Sequence, residues 1–199
     1  MFTGIIEAKG TITDISISDS NYTFWIESSL SSQLKIDQSL SHNGVCLTVE
    51  EIKSSMHRVT AIQETLQKTN LGNLSVGSVI NLERCMTLNG RIDGHIVQGH
   101  VDTTGVCKKI TNKKGSWEYL IEINPSFAGL IIEKGSICMN GISLTIFNVT
   151  KNSFTVAIIP YTFEHTNIHL LIEGATVNIE FDMIGKYVNR LQSLQKQAI

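Results

Sequence analysis

The sequence contains one seven-residue pattern twice, about half a chain apart. Residues 42–48 read HNGVCLT and residues 139–145 read MNGISLT, so the two patterns are separated by 97 positions. In each copy an Asn-Gly dipeptide precedes a short apolar segment, which predicts a tight hairpin turn leading into a strand. A turn and a strand that recur at a fixed distance indicate an internal duplication with two equivalent pockets.

Other segments align in the same register. The aligned pairs are 2–7 with 97–102, 64–71 with 161–168, and 76–83 with 173–180. The offset is 95 for the first pair and 97 for the others, as one small insertion would produce. Four separate blocks in register therefore predict that the second half of the chain repeats the fold of the first.

Within each half, short segments rich in Val, Ile and Thr are separated by turn residues, which is the pattern of β-strands. The predicted strands are 11–17, 22–26, 45–52, 58–62 and 79–82, with counterparts at 105–110, 117–123, 142–149, 154–159 and 176–181. Short helical stretches are predicted at 29–35, 64–68, 125–132 and 161–166. Because closure removes exposed sheet edges, we predict an all-β (mainly β) protein of two similar six-stranded Greek-key barrels plus a C-terminal α-helix.

The predicted barrels span residues 1–93 and 94–184, and residues 185–199 form the predicted helix. Apolar residues of this last segment recur at intervals of three or four, which makes one stripe on a helix: Tyr187, Val188, Leu191 and Leu194. Such a helix either packs on its own barrel or joins subunits. The pattern leaves both readings open.

Composition excludes several classes of protein. The net charge is −2 and basic residues are thinly spread, which argues against nucleic-acid binding. No apolar run reaches the roughly 18 residues of a membrane span, and the first residues do not resemble a signal peptide. We therefore expect a cytoplasmic protein with no membrane partner. Cys46, Cys85, Cys107 and Cys138 form no Cys-x-x-Cys pair, so free thiols are expected, and no metal site is predicted.

Matched polar residues would perform the same task in both barrels. They are Thr48 with Thr145, Thr65 with Thr162, and Gly4 with Gly99. Short hydroxyls and backbone amides beside glycines suit a planar polar ring with several donors and acceptors. The alternative is that threonines before helical stretches act only as caps.

Unmatched polar residues would make the two pockets different. Cys46 aligns with Ser143, His100 with Ile5, Lys134 with Asp37, and Asp182 with Cys85. A thiol, a hydroxyl, an imidazole, an ammonium and a carboxylate can together support proton transfer and nucleophilic addition. The alternative reading is that the cysteine is a small buried residue and that the charged residues are solvated.

Five segments of the chain resemble the riboflavin synthase family, alpha-chain type. They are MFTGIIE at 1–7, NGVCLTV at 43–49, GHIVQGHV at 94–101, Lys134-Gly135 followed by GISLT at 141–145, and NIEFD at 178–182. The resemblance covers almost the whole chain and is specific in order and spacing. One departure is Val45, where many family members have a second cysteine, while Cys46 matches the family's functional position.

The resemblance implies a transferase that performs the last step of riboflavin biosynthesis. Two molecules of 6,7-dimethyl-8-ribityllumazine would exchange a four-carbon unit to give riboflavin and 5-amino-6-ribitylamino-uracil, without a metal or cofactor. It also implies two lumazine-binding barrels and a homotrimer joined through the C-terminal helices. The active site would lie between the first barrel of one subunit and the second barrel of another. An association with lumazine synthase is a further expectation.

The alignment and the resemblance together give a set of candidate site residues. The predicted catalytic residues are Cys46, His100, Ser143, Thr145, Asp182 and Ser39. In the first barrel the predicted substrate-binding residues are Gly4, Ile5, Ile6, Cys46, Leu47, Thr48, Thr60, Ala61, Ile62, Gln63, Glu64 and Thr65. In the second barrel they are Gly99, His100, Val101, Ser143, Leu144, Thr145, Ala157, Ile158, Ile159, Pro160, Tyr161 and Thr162, with Lys134 reaching a neighbouring subunit's ligand.

In this hypothesis a base such as His100 removes a proton from the C7 methyl group of one ring. Cys46 and Ser143 would shuttle protons or deliver a nucleophile to C7, and Asp182 would orient or deprotonate a reacting group. The hypothesis does not assign one of these roles to each residue. Face-to-face stacking of the rings would supply much of the rate through proximity. The main alternative is a non-catalytic lumazine- or flavin-binding protein of the same fold. A remoter one is a duplicated barrel that only binds other proteins.

Overall fold

The first half of the chain forms a seven-stranded antiparallel sheet. In the computed structural model, which describes residues 1–197, its strands are β1 (Ala8–Ser18), β2 (Asn21–Glu27), β3 (Ser39–His42), β4 (Val45–Thr48), β5 (Glu51–Lys53), β6 (Met56–Ala61) and β7 (Val79–Arg84). Their order is β4-β3-β7-β1-β2-β6-β5. The two end strands, β4 and β5, are therefore consecutive along the chain, so that the sheet curls back on itself.

The second half forms a closed barrel. Its strands are β8 (Thr103–Asn112), β9 (Trp117–Glu122), β10 (Ser136–Met139), β11 (Ile142–Phe147), β12 (Ser153–Ile158) and β13 (Thr176–Phe181). They pair in the order β10-β11-β12-β9-β8-β13, and β13 pairs with β10 to close the ring. The prediction of a six-stranded barrel is confirmed for this half.

The first half departs from the prediction at one strand. β11 bonds to β10 and also pairs with β12 through Ile146 and Phe147. Its counterpart is divided: the Val49 N–H donates to the Gln38 carbonyl beside β3, and the next residue, Glu50, donates to Arg58 of β6. The strand predicted over 45–52 is therefore β4 and β5, and the first unit is a partly open barrel.

Within residues 1–197, three α-helices and four short 3-10 helices connect or follow the strands. The α-helices are α1 (Gln63–Lys68), α2 (Pro160–His165) and α3 (Met183–Gln197), and the 3-10 helices are Ser31–Gln33, Asn70–Asn73, Pro125–Leu130 and Asn167–Leu170. Helices were predicted at 64–68 and 161–166, and α1 and α2 confirm them. The stretches predicted at 29–35 and 125–132 contain only 3-10 helices. No helix among residues 1–197 is long and apolar enough to cross a membrane.

Each unit has its own apolar core, made by the inward-facing residues of its strands. In β6, for example, His57, Val59 and Ala61 are buried while the residues between them are partly exposed. Tyr119, Phe154 and Phe181 are the largest buried side chains of the second core. Burial of one such side chain stabilises the fold by about 1.5–3 kcal/mol, so alternation along the strands decides which face points inward.

The first core contains a buried polar chain that the second lacks. His42 Nε2 lies 3.0 Å from His57 Nε2, and His57 Nδ1 lies 2.8 Å from the Ser31 hydroxyl. Burial lowers the pKa of His57 to about 4 and, with His57 as a second cause, holds the pKa of His42 well below its usual value. Met139 and Phe154 occupy the matched positions of the second barrel.

The two Asn-Gly turns pack against each other between the barrels. Asn43 and Gly44 have φ values of 49° and 80°, and Asn140 and Gly141 have 47° and 82°, as the predicted hairpin turn requires. A Cβ atom on Gly44 would lie 2.8 Å from the Gly141 nitrogen. The two motifs that revealed the duplication are thus in direct contact, and each turn leaves no room for a side chain on the other.

Candidate functional site

The segment before β1 (residues 2–7) and the segment before β8 (residues 97–102) lie between the two barrels. Each of these exchanged segments contacts the barrel formed by the other half of the chain. Phe2 pairs with Val97 as an antiparallel bridge, so that the two segments run side by side. The Gly4 carbonyl accepts a hydrogen bond from Ser143 N at 2.8 Å, and the Gly99 carbonyl accepts one from Cys46 N at 2.9 Å. Each candidate nucleophile is therefore held by the segment from the other half of the chain.

This exchange corrects the predicted grouping of the site residues. The prediction placed Gly4–Ile6 with the first pocket and Gly99–Val101 with the second. The structure places residues 4–6 beside Ser143, with Ile6 packed on the second core, and residues 99–101 beside Cys46, with Val101 packed on the first core. The alignment carries no information about which barrel a crossing segment reaches.

Two buried carboxylates fix the exchanged segments. Glu83 accepts hydrogen bonds from the backbone N–H groups of Thr3 and Gly4 at 2.7 and 3.0 Å. Glu180 accepts them from Gln98, Gly99 and His100 at 2.7, 2.9 and 2.9 Å. Burial raises the pKa of both carboxyls, and the amide donors oppose that rise.

The sequence prediction missed these glutamates, although they align with each other at the offset of 97. A second matched pair adds to the attachment. The Glu7 carboxylate accepts the Arg84 backbone N–H at 2.7 Å, and Asp102 accepts that of Phe181 at 2.9 Å. Asp102 also bonds Lys186 of α3 at 2.8 Å. Carboxylates that bind several donors hold a loop in one position.

The exchange brings Cys46 and His100 to one cavity of about 400 Å³ at the first barrel. Its lining includes Cys46 of β4, the first two turns of α1 and the exchanged segment, namely Val45, Cys46, Glu64, Thr65, Lys68, Thr69, Gly99, His100, Val101 and Asp102. Glu64 and Lys68 form an ion pair of 2.9 Å at its rim. The cavity thus combines a thiol, an imidazole, a hydroxyl and charged groups within the size range of small-molecule sites.

Cys46 is a neutral thiol in this setting. Burial raises its pKa, and a hydrogen bond with Ser39 opposes the shift. Because the thiolate is the nucleophilic form, a raised pKa disfavours attack by Cys46 on a ring carbon and leaves the thiol with a proton that it can donate. Ser39 pairs across the strands with Thr48, and Ser136 pairs in the same way with Thr145. Ser136 is the matched counterpart of Ser39, and the prediction omitted it.

The second barrel has a different arrangement around Ser143. Its Oγ lies 2.7 Å from Nδ1 of His95, a residue absent from the predicted site. Burial lowers the pKa of His95, and the Asp182 carboxylate opposes the shift. The imidazole is therefore neutral near pH 7. Nothing local in the sequence connects this histidine with a residue 48 positions away.

Lys134 and Asp182 line a third region, a cavity of about 490 Å³ between the second barrel and α3. Asp182 caps α3 by accepting the Ile184 N–H at 2.9 Å, and Lys134 Nζ lies 5.4 Å from the centre of the Phe147 ring. The apolar stripe of α3 is exposed beside this cavity. Ile184, Tyr187, Val188, Leu191 and Leu194 have between 45% and 68% of their surface exposed in the single chain.

The remaining predicted binding residues divide into accessible and buried ones. Ile62 and Ile159 are matched, precede α1 and α2, and are 54% and 57% exposed, so each presents an apolar side chain at the surface. The exposed residues around them are Gln63, Ala157, Pro160 and Tyr161, with Ile5 exposed on the exchanged segment, and Thr162 and Leu144 are half-buried. The Thr60 hydroxyl bonds to Glu50 at 3.1 Å on the outer face.

Three predicted binding residues have side chains that are buried in the apolar cores. Leu47 and Ala61 belong to the first core and Ile158 to the second. They alternate along their strands with accessible residues and point inward, so only their backbone groups face the surface. Among residues 1–197 no cluster of three or more His, Cys, Asp or Glu side chains has the arrangement of a metal site.

Comparison with known proteins identifies relatives over nearly the full chain. A family model described as the lumazine binding domain matches residues 3–85 and again residues 98–182. The riboflavin synthase of Bacillus amyloliquefaciens is 40% identical over 199 residues, which cover 100% of this chain and 93% of the relative. That of Actinobacillus pleuropneumoniae is 42% identical over 191 residues, which cover 96% of this chain and 89% of the relative.

Solved structures with the same fold include those of LumP complexes. LumP complexed with 6,7-dimethyl-8-(1'-D-ribityl) lumazine has a TM-score of 0.83 and 23% sequence identity, covering 91% of this chain and 99% of that chain. LumP complexed with riboflavin has a TM-score of 0.85 at the same identity and coverage. At this identity the likeness concerns the fold alone.

Proposed function

The chain belongs to the riboflavin synthase family, and we propose that its two unlike pockets divide the reaction between them. The activity is that of a transferase in riboflavin biosynthesis: two molecules of 6,7-dimethyl-8-ribityllumazine dismutate by transfer of four carbons, giving riboflavin and 5-amino-6-ribitylamino-uracil. One lumazine must act as donor and the other as acceptor, so two similar binding sites with different catalytic groups are what this reaction requires.

The observation that supports this division is the exchange of the two amino-terminal segments. It sets His100 and Cys46 at one barrel and His95 and Ser143 at the other. In the proposal, His100 accepts a proton from the C7 methyl group of the lumazine in the first pocket, and Cys46 donates one as a neutral thiol. Ser143, with Thr145, contacts the second ring, and each ring stacks on the exposed isoleucine of its barrel.

We also propose a homotrimer in which Lys134 and Asp182 act at a pocket of the neighbouring subunit. The exposed stripe of α3 supports the association, because a surface of five large apolar side chains is typical of a buried interface. The cavity with Lys134 and Asp182 lies directly beside that stripe. We also propose that the two barrels end at residues 93 and 184 and that the protein associates with lumazine synthase. We further propose a cytoplasmic location, since the four cysteines of the described residues are free thiols.

Incubation of the purified chain with the lumazine tests the proposal. Flavin absorbance should rise, with one riboflavin formed for two lumazines consumed. His100→Ala should lower kcat by about a hundredfold or more, the usual contribution of a general base. His169→Ala is the matched control, because this exposed histidine lies on the second barrel outside both pockets and only bonds backbone carbonyls.

Two outcomes would contradict the proposal. Lumazine that is bound but unchanged by the wild-type chain would favour the non-catalytic binder. A His100→Ala variant with normal folding and near-normal turnover would exclude His100 as the base while leaving the activity itself established.

A further inference from the structure

Ser143 is held on two sides by residues distant in sequence. Its backbone N–H donates to the Gly4 carbonyl at 2.8 Å, and its Oγ lies 2.7 Å from Nδ1 of His95. The first contact fixes the main chain of β11, and the second fixes the rotation of the hydroxyl. Both contacts come from the segments that cross between the barrels.

Gly94 allows the contact between Ser143 and His95. A Cβ atom on Gly94 would overlap the Thr3 carbonyl oxygen and would lie 2.7 Å from the Ser143 Cβ. The absence of a side chain therefore lets the backbone pass directly over Ser143. The next residue, His95, donates its N–H to the Thr3 carbonyl at 3.1 Å, so that the imidazole starts from an anchored position.

The matched position in the first barrel has different neighbours. Cys46 contacts the Gly99 carbonyl through its N–H, as Ser143 contacts Gly4, but its side chain lies beside Ser39 and Cys85. No hydrogen bond among the described residues joins Cys46 to an imidazole. The hydroxyl–imidazole pair thus belongs to the second pocket alone, and it gives that pocket a property that the alignment of Cys46 with Ser143 does not reveal.

We propose that His95 is a positioning residue for Ser143, whose hydroxyl hydrogen it accepts through Nδ1. Bonded in this way, Oγ keeps its lone pairs directed away from the imidazole and toward the ring bound at the second barrel. The inference rests on the proposed function, because positioning matters only if Ser143 acts on a bound lumazine. The lowered pKa of His95 is consistent with it, since a neutral ring has a nitrogen lone pair free to accept.

Steady-state kinetics of four forms of the full chain test this proposal: wild type, His95→Ala, Ser143→Ala and the double variant. His95→Ala should lower kcat by about tenfold, the effect of losing one hydrogen bond to a reacting group, with KM changed by less than about twofold. In the Ser143→Ala background the same change should have almost no effect, because two residues that act as a unit are not additive.

His95→Asn supplies a second readout. Its side-chain oxygen lies near the position of Nδ1 and still accepts a hydrogen bond, so it should restore kcat to within about threefold of the wild type. Circular dichroism and lumazine binding would verify that each variant is folded.

The outcomes separate this inference from the proposed function. A wild-type chain without turnover overturns both. If the wild type is active, any one of three results overturns the role of His95 alone. These are full activity of His95→Ala, losses of kcat that multiply in the double variant, and a His95→Asn variant as impaired as His95→Ala.

Discussion

Single residues account for the difference between two pockets that the duplication made alike. Cys46 is a thiol whose pKa burial raises, whereas Ser143 is a hydroxyl bonded to a neutral imidazole. A neutral thiol can give up a proton but attacks carbon poorly, and an oriented hydroxyl offers lone pairs. The two sites could therefore hold the same ring and treat it differently.

The buried pair of His42 and His57 predicts a loss of stability in mild acid. The folded chain keeps both rings neutral, whereas in the unfolded chain they bind protons near pH 6.5. The stability that they contribute is therefore complete above about pH 6.5 and decreases as the pH falls toward the folded pKa of about 4. From His57 alone the loss is on the order of 3 kcal/mol.

Urea unfolding at pH 7 and pH 4.5 would measure this loss. The double variant His42→Met/His57→Phe carries the residues of the second barrel at the matched positions and should be less sensitive to acid than the wild type. Equal changes in unfolding midpoint for the wild type and the variant would show that other groups cause the acid sensitivity.

The alignment singled out Cys46, His100 and Ser143 as candidates, because each differs from its matched residue in chemical type. It did not reveal Glu83, Glu180 or His95. The two glutamates are alike in both halves and therefore gave no sign of unequal chemistry. The contact of His95 depends on the crossing of two segments far apart in the chain, which no local pattern encodes.

Among the elements, the hairpin between β3 and β4 and the one between β10 and β11 have the most specific sequence signal. Asn-Gly predicted both turns, and the φ values confirm them. β3 and β10 themselves were not among the predicted strands, because each has only four residues, too few for alternation to show, and β3 (Ser-Leu-Ser-His) has no β-branched side chain. The break between β4 and β5 was also missed, since residues 45–52 read as one strand.

The contact between the two turns predicts that Gly44→Ala is unusually destabilising. Alanine would suffer the left-handed backbone penalty of about 1–2 kcal/mol, and its Cβ would also press on the backbone of Gly141. Gly77→Ala is the matched control, because Gly77 has a φ of 90° and no atom within 4 Å of an added Cβ.

Guanidinium denaturation should place Gly44→Ala about 1–3 kcal/mol below Gly77→Ala in free energy of unfolding, the usual cost of overpacking. Equal losses of unfolding free energy for the two variants would show that the contact between the two turns adds nothing to the cost of a side chain at position 44.

At the scale of the molecule, the two halves are related as the subunits of a symmetric dimer would be. Asn70 donates its backbone N–H to the Asn178 side chain, and Asn167 donates in the same way to Asn81. Reciprocal contacts of this kind define a two-fold interface. The duplication was readable from the sequence, but this interface was not, because it depends on how two barrels face each other.

The exposed stripe of α3 predicts that one charge on it prevents assembly. Leu191→Glu would bury an unpaired carboxylate in the proposed interface, so sedimentation should detect monomers with much reduced turnover. Ser193→Glu adds the same charge on the opposite face of the helix and should leave the oligomer intact. An unchanged oligomer for Leu191→Glu would contradict assembly through α3.

The crossing of the two amino-terminal segments has a consequence for the order of events during synthesis. The Gly4 carbonyl can form its hydrogen bond only after Ser143 has been synthesised, and the amides around Gly99 can form theirs only after Glu180 has been synthesised. A nascent chain can bury most of its first core early, yet neither pocket has its full set of contacts until almost the last strand has left the ribosome. The anchor of residues 98–100 at the first pocket is therefore completed late, and a product terminated before Glu180 lacks it.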